Sequence, residues 1–184
     1  GEDVQYRFAV EGLNPLIAIT QRNGWTMTLA YDAEFRLASV TNHFGRTLRF
    51  VHTAGQLTSV VTPDGQTLQY AYDAQRRLSA VTQADGSARQ YHYEDTRFAS
   101  ALTGVTDESG QRYSTFTYDP FGRVSSTELA GGVGRYSVTL RGEPPLANRV
   151  LRDHLGDDTY LSLNADVRDP LGNIQSYTWA GRLG

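Results

Sequence analysis

The sequence predicts an all-β chain in which tandem antiparallel β-hairpins of about 21 residues build one long, single-layer sheet. Three observations carry this. Glycines recur at Gly24, Gly45, Gly65, Gly86 and Gly110, spaced 21, 20, 21 and 24 residues apart. Five residues before each stands Ile19, Val40, Val60, Val81 or Val105, and three before that stands Leu16, Leu37, Leu57, Leu78 or Leu102. After the glycine come large residues at the +5 and +7 places: Leu29 and Tyr31, Phe50 and His52, Tyr70 and Tyr72, Tyr91 and Tyr93.

Along the chain, Val4, Tyr6, Phe8 and Val10 alternate as a strand would. Each Leu-x-x-Val element then reads as a strand, ending in Thr in most copies. Its spacing of three is not strict alternation and points to either a bulge or two covered faces. Asn23-Gly24, Asp64-Gly65 and Asp85-Gly86 are two-residue hairpin signals, because glycine accepts positive φ. The +5 and +7 residues lie two apart and share one face of the returning strand. A second turn, opened by Asp32, Asp73 or Asp119, leads into the next unit through Asx hydrogen bonding.

After Gly110 the large pair is Phe116 and Tyr118, displaced by one residue. A last copy runs through Val167, Gly172, Tyr177 and Trp179, with a degenerate stretch at about 141–164 before it. Residues 145–155 read there as a short helix. The organisation expected is one domain over 1–184, regular over about 12–140 and resumed over 165–184, with some sixteen strands. Both ends read as cuts through a longer protein. The rival architecture is a β-solenoid with one coil per period, and antiparallel pairing across Asp64-Gly65 separates the two.

Tyr31-Asp32…Arg36-Leu37…Val40-Thr41…Gly45 recurs as Tyr72-Asp73…Arg77-Leu78…Val81-Thr82…Gly86, and again from Tyr118-Asp119. This phased pattern resembles the YD repeat of Rhs proteins and, more distantly, the shell subunits of bacterial Tc toxins and the teneurins. The resemblance implies a β-strip curving into a cocoon-like shell that encloses a C-terminal toxin or effector. It implies bacterial export and a secreted or cell-surface location. It also implies a structural, non-enzymatic role, with the remainder of the shell and the enclosed toxin as partners.

Composition sets further limits. With no cysteine, disulfides and thiolate chemistry are excluded. All 17 basic residues are arginine, so lysine Schiff-base and phosphate-loop chemistry are excluded as well. A net charge of −3 with scattered arginines gives no nucleic-acid footprint, and no apolar run is long enough for membrane insertion. The arginine bias reads chiefly as base composition, and secondarily as a supply of cross-strand carboxylate partners.

The candidate residues are structural. Tyr31, His52, Tyr70, Tyr72, Tyr91, Tyr93, Phe116, Tyr118, Tyr177 and Trp179 form an expected aromatic ladder, and Gly24, Gly45, Gly65, Gly86, Gly110 and Gly172 the repeat turns. No catalytic, cofactor or metal residues are expected: His43, His52, His92 and His154 lack ligand spacing. Asp119-Pro120-Phe121-Gly122 and Asp169-Pro170-Leu171-Gly172 share the Asp-Pro-x-Gly core of the family's self-cleavage motif. Both lack its flanking proline and leucine and read as turns. The alternative function is a carbohydrate-binding or adhesion module using the aromatic face. Exposed strand edges lead us to expect self-association.

Overall fold

The structure, a computed structural model, describes residues 3–10, 13–141 and 160–182, with side chains of 160–163 and 179–182 outside the description. The expected helix at 145–155 and His154 lie outside the described residues. The chain divides into two compact units, Gly1–Ala88 and Arg89–Gly184.

The first unit holds β1 (Gln5–Phe8), β2 (Leu16–Thr20), β3 (Thr26–Tyr31), β4 (Leu37–Thr41), β5 (Thr47–Thr53), β6 (Gln56–Val61), β7 (Thr67–Tyr72) and β8 (Leu78–Thr82). Each pairs antiparallel with the next strand in sequence. The second unit holds β9 (Ala88–His92), β10 (Gly104–Thr106), β11 (Arg112–Tyr118), β12 (Val124–Leu129), β13 (Tyr136–Arg141), β14 (Tyr160–Arg168) and β15 (Ile174–Arg182), again paired in chain order. A 3-10 turn at Ala130–Gly132, unforeseen in the sequence, joins β12 to β13. Ser59 opposite Gln69 and Val61 opposite Thr67 bracket Asp64-Gly65 in antiparallel register, which excludes the solenoid.

The turns differ from expectation by one residue. Thr62 N–H donates to Gln66 O and Gly65 N–H to Thr62 O, enclosing the three residues Pro63, Asp64 and Gly65. Gly65 has φ +84°, and Asp64 is not among the positive-φ residues. This is a type I turn followed by one left-handed residue, not the primed two-residue turn, which needs positive φ at both places. The same pair of backbone bonds closes 21–25, 32–36, 42–46, 73–77, 83–87, 107–111, 119–123 and 169–173. A genuine two-residue turn does occur, at Ala54-Gly55, with φ of +50° and +78° between paired Thr53 and Gln56. It is one residue shorter than its counterparts and accounts for the single spacing of 20.

The irregular Leu-x-x-Val spacing is a bulge. Tyr31 faces Leu37 while Ala30 faces Ser39, leaving Ala38 as the extra residue. The same slip occurs at Val51/His52, Ala71/Tyr72 and Thr117/Tyr118. Because the extra residue consumes one step of the alternation, Leu and Val three apart return to the same face.

Among the described residues, the buried apolar ones are Ala18, Val60 and Ala165, and no large side chain is fully buried. The length allowed a sizeable core if the chain closed on itself. The described residues instead form a single layer within each unit.

Phe35 and Arg76 occupy the left-handed place that glycine holds in the other three-residue loops, at φ +58° and +63°. A side chain there costs about 1–2 kcal/mol. Arg76 regains part of this, because its guanidinium donates to Ala54 O at 3.0 Å. Phe35 is half-exposed. Phe35→Gly is therefore expected to raise stability by about 0.5 kcal/mol, strain relief being partly offset by glycine's entropy. Arg76→Gly is expected to give no gain; urea unfolding of the two variants checks the contrast.

Candidate functional site: the Tyr-Asp turns and the aromatic columns

The expected columns occupy the more covered side of their strands. Leu29 and Tyr31, Phe50 and His52, Tyr70 and Tyr72, and Phe116 and Tyr118 are half-buried, while Ala30, Val51, Ala71 and Thr117 between them are exposed. Tyr91 and Tyr93 are also half-buried, and Tyr177 is exposed. The side chain of Trp179 lies outside the described residues.

What three of these tyrosines do was not legible beforehand. Tyr31 Oη donates to Leu16 O at 2.8 Å, Tyr72 Oη to Leu57 O at 2.9 Å and Tyr118 Oη to Leu102 O at 2.7 Å. The acceptor is the carbonyl of the repeat's own leucine, at the start of the hairpin that the tyrosine ends. Pairing of β2 with β3 runs from Thr20 opposite Thr26 to Ala18 opposite Thr28, and from Thr28 on β3 pairs with β4. The phenol thus bonds a strand end beyond the last backbone pair.

The aspartate after the tyrosine builds the turn. Asp32 Oδ1 accepts from the amides of Glu34 and Arg36, and Oδ2 accepts from Arg36 Nε at 2.7 Å. Asp73 repeats this with Gln75 and Arg77, and Asp119 with Phe121 and Arg123. Asp169 keeps the amide bonds, while Asn173 Nδ2 replaces the arginine. In Asp32, Asp73 and Asp119, burial alone would push the carboxyl upward. The arginine and the turn amides outweigh it and hold each below the ordinary carboxylate range. Asp169 is lowered by its bond to Asn173, with burial opposing and the turn amides assisting. Both Asp-Pro-x-Gly sequences are thus turns whose carboxylates are bound on both oxygens.

Arginine serves the turns and the expected pairs between strands alike, Arg141 of β13 pairing with Asp166 of β14. Arg36, Arg77 and Arg123 bind the aspartate four residues earlier, whereas Arg89–Glu108 at 3.0 Å and Arg112–Glu94 at 2.9 Å join separate elements. The latter explains the spacing of 24 between Gly86 and Gly110. The extra residues form a loop after Tyr93, where Glu94 accepts from Arg112 and Thr103, and Arg112 also donates to the carbonyls of Thr103 and Ser114. Arg112 first, with Thr103 assisting against burial, holds the Glu94 carboxyl below its ordinary range. A Cβ on Gly104 would come 2.1 Å from Arg112 Nη2, so this network needs glycine there.

One cluster escaped the periodicity because it departs from it. The Trp25 and His43 rings stack with centroids 4.2 Å apart at 15°, and Phe44 lies against both, at 5.8 Å from Trp25 and 3.6 Å from His43. No group of histidine and carboxylate side chains able to hold a metal ion occurs among the described residues.

The architecture defines a tandem β-hairpin repeat protein. Residues 52–95 and 101–133 match the family model described as RHS Repeat, so over these stretches the chain is similar to that family. The hairpins on either side of those stretches share the turn geometry. No curated protein matches the sequence. Among solved structures, the Tc holotoxin pore of Photorhabdus luminescens is 13% identical over 93% of this chain and 9% of its own, with a TM-score of 0.47. TcdB2-TccC3 without its hypervariable C-terminal region is 14% identical over 96% of this chain and 9% of its own, with a TM-score of 0.49. TcdB2-TccC3-Cdc42 is 15% identical over 96% and 10%, with a TM-score of 0.43. The chain spans about a tenth of the length of these structures.

Two outcomes follow. Tyr72→Phe removes the hydroxyl that bonds the Leu57 carbonyl; it is expected to cost about 1 kcal/mol in denaturant unfolding. The turn aspartates have lowered folded-state pKa values, so they contribute stability above the unfolded value, about 3.9. That contribution disappears as pH falls through the folded values. Thermal midpoints between pH 7 and 2 are expected to hold down to about pH 4 and drop below it.

Proposed function

We propose that this chain is a non-enzymatic wall segment of an RHS-repeat shell enclosing a C-terminal toxin or effector, secreted or displayed at a bacterial surface. The observation that carries the reading is the half-covered aromatic columns in a sheet whose described residues leave no large side chain fully buried. Such a face is finished by something outside the sheet, either further wall or enclosed chain. The RHS repeats support a structural role for the strip. The carboxylates of the Tyr-Asp turns are consumed by turn bonding and offer little to a reaction.

A carbohydrate-binding use of the columns has less support. The rings of Tyr31, Tyr72 and Tyr118, on which a sugar would stack, are half-buried, and their hydroxyls are bonded to backbone carbonyls.

The chain has no cysteine, so single thiols report each face cleanly. Leu68→Cys sits on the column side of β7 and Gln69→Cys on the other side. In the 184-residue chain both are expected to react quickly with a soluble thiol reagent. In the longer protein the thiol at 68 is expected to be protected and the thiol at 69 to stay reactive. Equal reactivity of the two in the longer protein would remove the enclosing-wall reading.

A further inference from the structure

The turns at 21–25, 42–46 and 62–66 join β2 to β3, β4 to β5 and β6 to β7 on one rim of the first unit, where 83–87 also follows β8, opposite those at 32–36 and 73–77. They close with the same backbone bonds but differ in side chains. The place after the glycine holds Trp25 in the first loop, and Arg46, Gln66 and Ser87 in the others. The two places before the glycine hold His43-Phe44 in the second, against Arg22-Asn23, Pro63-Asp64 and Ala84-Asp85. The loop itself needs none of these rings, since Asn42 Oδ1 already accepts from the amides of Phe44 and Arg46. The rings are nonetheless gathered, and they are open to solvent: Trp25 is 50% and Phe44 70% exposed. Met27, two residues beyond Trp25, and Leu48, four beyond Phe44, are exposed as well.

Charge selects the occupant. Residues 12–31 and 35–63 contain no aspartate or glutamate, so Arg22 and Arg46 flank the rings without an acidic neighbour in either loop. Both arginines are exposed, and neither forms an ion pair among the described residues. The next two loops on the rim carry Asp64 and Asp85, and Arg46 exerts a weak pull on Asp64, so the cationic aromatic patch ends there. Exposed rings at hairpin tips whose loops also carry two arginines match an anionic lipid surface. Indole and phenyl rings settle at the headgroup boundary, while arginine pairs with phosphate and carboxylate headgroups.

We propose that the Trp25–His43–Phe44 tip cluster, with Arg22 and Arg46, is a peripheral docking site for an anionic membrane surface. No strand has to enter the bilayer, and the proposal stands whether or not the sheet encloses a cargo.

Vesicles of phosphatidylcholine alone, or of phosphatidylcholine with phosphatidylserine, test it by co-sedimentation. Trp25 fluorescence is read in a Trp179→Phe background. The chain is expected to sediment with the serine-containing vesicles, with a blue shift of Trp25, and to bind neutral vesicles at least about tenfold more weakly. Phe44→Ser is expected to reduce anionic binding, and Arg22→Gln with Arg46→Gln by about tenfold or more. The arginine variants alter only exposed charge, so a preserved thermal midpoint separates loss of binding from loss of fold. Absence of vesicle binding, binding indifferent to these substitutions, or capture by a soluble anionic polysaccharide without a vesicle-induced shift would each overturn the proposal.

Discussion

The constraint on which everything else depends is that each unit is a sheet without a second layer. Where a sandwich buries side chains between two sheets, this chain buries Ala18, Val60 and Ala165 among the described residues, and little more. The hydrophobic term that dominates most folds is correspondingly thin here. What remains is the backbone ladder, the turns that keep it in register and the bonds that close each hairpin's far end. A register slip of one residue would send every column side chain to the opposite face. The repeated bulge before the tyrosine and the repeated three-residue loop hold the register.

The YD signature acquires a physical meaning on these terms. Tyrosine bonds the strand end beyond the point where its own two strands stop pairing; aspartate gathers two amides and an arginine; the arginine precedes the leucine that begins the next hairpin. The threonines flanking the tips add smaller bonds, Thr20 to Thr26 at 3.0 Å and Thr41 to Thr47 at 2.9 Å. None of these interactions is large alone, and their force comes from recurring in phase. Asn42 builds the same turn without a charge, so the geometry is a property of the Asx side chain, and the arginine pairing is added to it.

Much of this was legible in the sequence because periodicity is visible without coordinates. Over residues 16–82 the glycine phase, the leucine and valine offsets and the column positions correspond to turns, strands and the more covered side, whereas Leu102 precedes its strand and Tyr177 is exposed. The turn type was misread at Asn23-Gly24, Asp64-Gly65 and Asp85-Gly86: a dipeptide shows where positive φ is available but not whether one residue or two will use it. The bulge was one of two readings of the three-residue spacing, and only pairing partners decide between them. The tyrosine hydroxyl bonds were not legible, since they depend on where two strands diverge. The Trp25–His43–Phe44 cluster was missed for the opposite reason: a search for what recurs passes over what breaks the pattern.

The most direct measurement is the backbone register of the β7–β8 hairpin by NMR. Cross-strand nuclear Overhauser contacts are expected between Gln69 and Thr82, Tyr70 and Val81, and Ala71 and Ala80, with Tyr72 opposite Leu78, Ser79 bulged and the Tyr72 hydroxyl proton protected from exchange. Contacts in an unbroken register through Ser79, or a freely exchanging hydroxyl, would contradict the account.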